Sequence, residues 1–459
     1  MKIDRNKVRK QFDIYITPYN LSDPKIRLKA EHTYRVAELC ARIAGSLSLS
    51  DEDVDLAWLL GMLHDIGRFE QVRRYGTFSD AQSVDHAGFG ADLLFGTGFG
   101  DGPGLIRDFA SSDAEDDLIE KAIRLHNIFQ LPEELSERER TYAQILRDAD
   151  KIDIIRVNCE FSRSEIYNIP EEEFLTSDIS DQVLQDALSM QNVLRSHRKT
   201  AADYIVGQIS LTFGLVYSES KRIILEQGYL EQMMDFDSRN PETVHRLKLI
   251  SGKIREFLDV VSVEEMRRRD AETIAAGTPG RVLMRRAAEG ICSAWEKWPE
   301  GTLILCGSGN NGGDGYALAE ILSEKNISCR ILKISDPRTE DAAYYEQRAI
   351  KAGVPIHRYE AGCSFAEPVI VDCLLGTGFQ GEVREPYASA IRAINRAHEN
   401  GSKVISADIN SGMNGDDGSG QLVVKSDLTV TIGLLKNGFY TEAGRSHYNV
   451  LKVAEIGII

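Results

Sequence analysis

Four of the chain's nine histidines, His32, His64, His86 and His126, fall within its first 127 residues. His32 lies on the apolar stripe of Val36, Leu39 and Ile43. His64 follows Leu60 by one helical turn and is followed directly by Asp65. A single inward-facing histidine is more often a packed core residue than a ligand. An adjacent His-Asp pair, an earlier histidine and a later acid, Asp148 or Asp150, form a set that a divalent metal would take. Imidazole and carboxylate both ligate such an ion, which then activates water.

The second half carries a different set. Thr302 to Gly315 reads as an apolar strand ending at Cys306 and a glycine-rich turn, with a helix expected over Tyr316 to Lys325. Such a turn lets a ligand approach the backbone and aims unpaired helix N–H groups at phosphate. It lacks the Gly-Lys-Ser/Thr ending of a P-loop and does not fit the dinucleotide fingerprint, which disfavours a nicotinamide dehydrogenase. Two more strand ends repeat the idea: Asp372 precedes the second glycine loop, and Asp408 and Ser411 follow Val404 to Ala407. Ligands of open α/β sheets bind beyond the carboxyl ends of the strands, so the three loops are expected to converge. The plainer alternative is that Asp372 and Asp408 cap following helices.

Two kinds of scaffold must position these residues. From Arg27 to about Lys253, apolar residues repeat at three and four positions, as in Leu56, Leu60 and Leu63. Ser50 and Asp53 are placed to open that helix as a capping box. From Thr302 onward, short apolar runs alternate with amphipathic stretches: Leu303 to Cys306, Cys329 to Ile334, Val369 to Leu374, Val404 to Ala407 and Leu428 to Ile432. This alternation predicts a parallel sheet covered by helices. The expected organisation is multidomain: an all-α helical bundle over residues 1–235, a connecting segment at 236–261, and an α/β three-layer sandwich over 262–459.

Composition narrows the partners. A formal charge of −17 over 459 residues disfavours nucleic acid and anionic membranes, both of which reward surplus Lys and Arg. Apolar runs are too short for a membrane span, and residues 1–10 are charged, unlike a secretory signal. The seven cysteines are scattered with no C-x-x-C pair, which suits a reducing cytoplasm.

The first set resembles the HD superfamily of metal-dependent phosphohydrolases across roughly Arg27 to Arg156, on His32, His64-Asp65-Ile66-Gly67 and the acid of Asp148-Ala149-Asp150. The resemblance implies His32, His64, Asp65 and Asp150 as ligands, with Asp148 the alternative to Asp150, and Asp65 as a catalytic carboxylate. His86 and His126 match the extra histidines of members that bind two ions. One or two divalent transition-metal ions (Mn, Fe, Co, Ni or Zn) are implied, acting on an unidentified phosphorylated metabolite or nucleotide. Arg68, Arg73 and Arg74 are candidate phosphate contacts or solvated surface.

The second half resembles the NAD(P)H-hydrate epimerases over nearly its whole length. The shared features run from Val263 to Met266, Asp270 and Gly277 to Gly280, through the three loops, to Thr431 to Gly438 and Val453 to Gly457. The resemblance implies a Rossmann-like homodimer that interconverts the R and S forms of hydrated NADH or NADPH (NADHX, NADPHX). It places Asn310, Asn311, Gly312, Gly313 and Asp314 around the substrate, together with Gly376, Thr377, Gly378, Phe379, Gln380, Gly381 and Glu382. Asp408 becomes the acid/base and substrate contact, Lys436 a further substrate residue, and Asn311, Asp372 and Ser411 the ligands of a potassium ion. Arg285 and Arg286 stand where Glu-Asn is common, and Asn410 replaces the usual proline, which predicts a looser turn. The dehydratase often fused behind such epimerases is not expected, because the chain stops at Ile459. Two rivals stay open: a non-catalytic nucleotide-binding scaffold for the second half, and a regulatory sensor for the first.

Overall fold

The computed structural model describes residues 2–96, 104–295 and 297–458. They divide into two compact units, Met1–Ile254 and Arg255–Ile459.

Among the described residues the first unit contains helices and no strand. The Asp51–Leu63 helix opens at Ser50, whose Oγ accepts from Asp53 N at 3.2 Å, and three acidic residues complement its positive end. The reciprocal half of the expected capping box is absent there, since the Asp53 carboxylate takes the Ser50 hydroxyl at 2.7 Å instead. A complete capping box does open the long Glu137–Glu160 helix, through Ser136 and Glu139. The Asp51–Leu63 helix packs against Pro24–Ser46, bringing His64 to His32. The chain breaks at Asp65 and resumes as Ile66–Tyr75. Gly67 lets this helix meet His86–Phe95, because a Cβ there would lie 2.7 Å from the Gly90 nitrogen and the His86 carbonyl. The segment 236–261, read as a connector, is mostly one helix, Pro241–Phe257. It is fastened to the first unit where Thr243 Oγ1 donates to Ser177 O at 2.8 Å and Arg246 meets Asp181 at 2.6 Å. No helix among the described residues is long and apolar enough to cross a membrane.

The second unit contains nine strands among its described residues: β1 (Val260–Val261), β2 (Thr302–Cys306), β3 (Cys329–Lys333), β4 (Ile356–Arg358), β5 (Val369–Cys373), β6 (Lys403–Ala407), β7 (Ser426–Ile432), β8 (Leu435–Lys436) and β9 (Tyr448–Ala454). Seven form one sheet in the order β4-β3-β2-β5-β6-β7-β9, every ladder parallel, and β1 pairs with β8. Alternate residues feed two cores. Ile304 and Val371 face the helices Gly280–Ala294, Asn310–Glu324 and Glu340–Lys351, while Leu303, Leu305 and Ile370 face Tyr387–Glu399. These are the three layers that the alternating pattern predicts. β4 and β9, absent from that pattern, extend the two edges. The strand order reverses between β2 and β5, so the loops after them diverge and leave a crevice.

Candidate functional sites

In the first unit, the Pro24–Ser46, Asp51–Leu63, His86–Phe95, Asp116–Leu125 and Glu137–Glu160 helices, together with the start of Ile66–Tyr75, bring all six sequence-designated residues to one buried centre. His32, His64, Asp65, His86 and His126 are at most 5% exposed. Each imidazole spends Nδ1 on an orienting partner: His32 on Asp153 at 2.7 Å, His64 on Gly61 O at 2.8 Å, His86 on Asp80 at 2.7 Å and His126 on Ile123 O at 2.7 Å. Carbonyls and carboxylates only accept, so Nδ1 carries the proton in each neutral ring and Nε2 keeps a bare lone pair. Those lone pairs face one another, His32 to His64 at 3.3 Å and His86 to His126 at 3.0 Å.

Asp65 stands between the two pairs. Its Oδ2 is 3.6 and 3.5 Å from His32 and His64, and its Oδ1 is 3.5 and 3.9 Å from His86 and His126. Asp150 adds Oδ1 at 3.1 Å from His32 and 3.8 Å from His64. Opposed lone pairs beside buried carboxylates demand cations, and the donor set divides into two groups sharing Asp65. The residues therefore fit one or two divalent ions of the imidazole-binding kind. Burial, with charge from Arg68 and His64 respectively, pushes His86 and His126 down to about 4. Burial lowers His64 as well, whereas hydrogen bonds to Asp150 and Asp153 overcome burial and raise His32.

Asp148 does not join this centre. Its carboxylate accepts from Gln144 and from the backbone of Val216 and Tyr217, pinning that loop. Arg73 and Arg74 both pair with Glu70, and Arg68 donates to Asp80 at 2.8 Å, holding the residue that orients His86. Asp153, Asp80 and Lys29, whose Nζ reaches Asp65 Oδ2 at 2.5 Å, escaped the sequence reading. Lys29 and Asp153 each sit one helical turn from a ligand, which is the signal that could have found them.

In the second unit a cavity of about 690 Å³ opens beyond the ends of β2, β5 and β6. Asn310, Asn311 and Asp314 line it, as do Gly376, Thr377, Gly378, Phe379, Gln380, Asp408 and Lys436. Gly312, Gly313, Gly381 and Glu382 are not on its wall. The glycine-rich stretch turns only over Gly307 to Gly309: the helix begins at Asn310, six residues earlier than expected. Gly312 is buried in its first turn, where a Cβ would lie 2.1 Å from the Gly307 carbonyl. Asp270, Ser308 and Tyr387 also line the cavity and were not assigned roles from sequence.

Asp408 holds a left-handed backbone, φ 63°. Such a conformation is uncommon outside glycine, and its cost is borne where the surroundings impose it. Its Oδ1 accepts from Lys436 Nζ at 2.7 Å, and its Oδ2 faces Thr377 N at 3.3 Å. Lys436 is fully buried and gives its other protons to Thr431 Oγ1 and Ile432 O. Burial and the nearby charges of Asp408 and Asp270 raise the Asp314 carboxyl well above the usual range, and burial with Asp408 raises Asp270.

Beneath the cavity, Asp372 caps no helix. It accepts from Leu374 N, Ser406 Oγ, and both N and Oγ of Ser411, tying β5 to the end of β6. Burial raises its pKa despite those bonds. Asn311 Oδ1 and Nδ2 are buried without a partner. An orphaned amide oxygen, and the serine and carboxylate oxygens of Ser411 and Asp372, are donors of the kind that potassium takes.

The sequence departures lie away from this chemistry. Arg285 pairs with Glu289 and Glu324, and Arg286 donates to Ile456 O. Asn410 does not loosen its turn. Fully buried, it donates to Val424 O, Ser426 Oγ and His447 O, and accepts from Thr429. Hydrogen bonds to two segments, residues 424–429 and His447, do what a proline's fixed φ would do. Asn410→Ala is expected to destabilise the second unit by about 2 to 4 kcal/mol, because buried acceptors lose their donor. Urea unfolding measures this, and an unchanged midpoint would contradict it.

Comparison with known proteins agrees with the division into units. Residues 280–438 match the family described as YjeF-related protein N-terminus, and residues 30–155 match the HD domain. An NAD(P)H-hydrate epimerase of Limosilactobacillus reuteri is 34% identical over 202 residues, covering 42% of this chain and 94% of that protein. A Rhodopirellula baltica protein of the same name is 36% identical over 189 residues, covering 39% of this chain and 76% of its own length. The bifunctional NAD(P)H-hydrate repair enzyme Nnr of Coxiella burnetii is 36% identical over 200 residues, covering 42% of this chain and 40% of that protein. The chain thus spans about two fifths of the bifunctional relatives it matches.

Proposed function

Because the chain belongs, through its second unit, to the NAD(P)H-hydrate epimerase family, we propose that this unit interconverts the R and S forms of NADHX and NADPHX. The observation that carries this reading is Asp408, held in a left-handed backbone on the wall of a cavity of about 690 Å³ and paired with a buried lysine. Epimerisation at the carbon bearing the added hydroxyl requires a proton given to the leaving oxygen and one taken from the returning water. Asp408 is the group for that exchange, and Lys436 fixes its orientation. Asn310, the loop Gly376 to Gln380 and the free amide of Asn311 hold the cofactor. Asn311, Asp372 and Ser411 would hold potassium, which would fasten the first turn of the Asn310–Glu324 helix to the ends of β5 and β6. A homodimer is part of this reading. The scaffold alternative rested on Arg285, Arg286 and Asn410, none of which touches the cavity.

The test is conversion of purified NADHX, with and without potassium, while a stereospecific dehydratase consumes one epimer. We expect the other epimer to be drawn down, faster with potassium. A folded protein that converts nothing would move the scaffold reading to first place.

For the first unit we propose metal-dependent phosphoester hydrolysis of a phosphorylated metabolite or nucleotide. His32, His64, Asp65 and Asp150 would hold one ion, and Asp65, His86 and His126 a second. The metal, when bound, supplies an activated water. The chain's own part is to fix the imidazoles through Asp153, Asp80 and two backbone carbonyls.

A further inference from the structure

We propose that Lys29 is a phosphate-binding residue of the first unit, one whose charge on Asp65 opposes metal binding there. The proposal rests on the two-ion reading of the His/Asp centre. Lys29 lies one turn before His32, and Asp65 Oδ2, at 2.5 Å, is its one hydrogen-bond partner among the described residues. Its side chain is 15% exposed and its Nζ lies 5.6 Å from the centre of the Phe78 ring. Arg68 faces the other oxygen of Asp65 at 3.6 Å, but its Nη1 is committed to Gln71, Phe78 O and Asp80. Of the two cations beside Asp65, only Lys29 has no second hydrogen-bond partner among the described residues.

That difference decides what each does when metal binds. A carboxylate shared between divalent ions has little charge left for an ammonium, and the ammonium is repelled by them. Lys29 then needs a new anion at the rim of the centre, and a long flexible side chain with three donors is suited to reach one. A phosphate drawn to the same ions supplies that anion. The lysine therefore competes with metal for Asp65 and cooperates with phosphate on the metal-bound centre, so its removal shifts the two affinities in opposite directions. A purely structural lysine would lower both.

Full-length protein is stripped with chelator and titrated calorimetrically with Mn²⁺, and the loaded protein is then titrated with inorganic phosphate. For Lys29→Met we expect Mn²⁺ to bind several-fold more tightly and phosphate roughly tenfold more weakly, a loss typical of one charge-assisted contact. Lys29→Arg should recover most of the phosphate affinity, which also guards against misfolding of the methionine variant. Wild-type protein that takes up no Mn²⁺ would remove the two-ion reading and this proposal with it. Wild-type protein that binds Mn²⁺, alongside a Lys29→Met protein with unchanged phosphate affinity or weaker metal binding, would overturn the role of Lys29 alone.

Discussion

Asp408→Asn is expected to lower the rate of NADHX epimerisation by roughly 10²- to 10⁴-fold, the usual contribution of a positioned proton carrier, and to lower the unfolding temperature less than Asp408→Ala does, because Lys436 loses its counter-ion but keeps an acceptor. Asparagine is the substitution that isolates the proton. It tolerates the φ of 63° better than other non-glycine residues, and its side-chain oxygen can still accept from Lys436. Asp408→Ala also removes the acid, but it leaves Lys436 fully buried with Thr431 and Ile432 O as its only partners. A buried charge without its counter-ion costs about 3 to 5 kcal/mol, and alanine loses the acceptor as well, so an inactive alanine variant would confuse lost chemistry with lost structure more than asparagine does. Steady-state rates beside thermal unfolding of both variants separate the two effects. A folded Asp408→Asn protein at wild-type rate would end the acid/base assignment.

What the sequence shows and what it hides follow from the range of the signal. Helical spacing around His32 and His64 is local, and so is the alternation that places Leu303 and Ile304 on opposite faces of β2. Both are legible from neighbours alone. The partner of His32 is not, because Asp153 lies 121 residues away and becomes an orienting group only through packing. Asn410 misleads for the same reason: as a residue type it suggests a looser turn, yet two distant segments saturate its side chain. The early start of the Asn310–Glu324 helix reverses an intrinsic preference. Two adjacent glycines weaken a helix in isolation, but here they are buried, and the close approach of Gly312 to Gly307 leaves no room for another residue.

Removal of divalent metal is expected to lower the unfolding temperature of the first unit by roughly 8 to 16 °C. A ligand at a thousand times its dissociation constant stabilises by about 4 kcal/mol, and each kcal/mol moves a unit of this size by about 2 to 4 °C. The stripped protein keeps opposed lone pairs and a carboxylate in a dry core, so it should also be acid-sensitive. His86 and His126 sit at about 4 in the fold, against an ordinary 6.5. Between those values the unfolded chain takes up protons that the folded one refuses. Stability is therefore complete above about 6.5 and is lost as pH falls toward 4, at up to about 1.4 kcal/mol per group per pH unit. His64 is shifted in the same direction, while His32 is raised, so its contribution is complete below about 6.5 and is lost as pH rises above that, outside this acid window. Asp65→Ala should abolish metal uptake and the thermal gain together, because both ligand groups share that carboxylate. His86→Ala, which touches one group, should retain about half the metal. Elemental analysis paired with thermal unfolding reads both outcomes. Unchanged metal content in Asp65→Ala would show that the ions, if any, bind elsewhere.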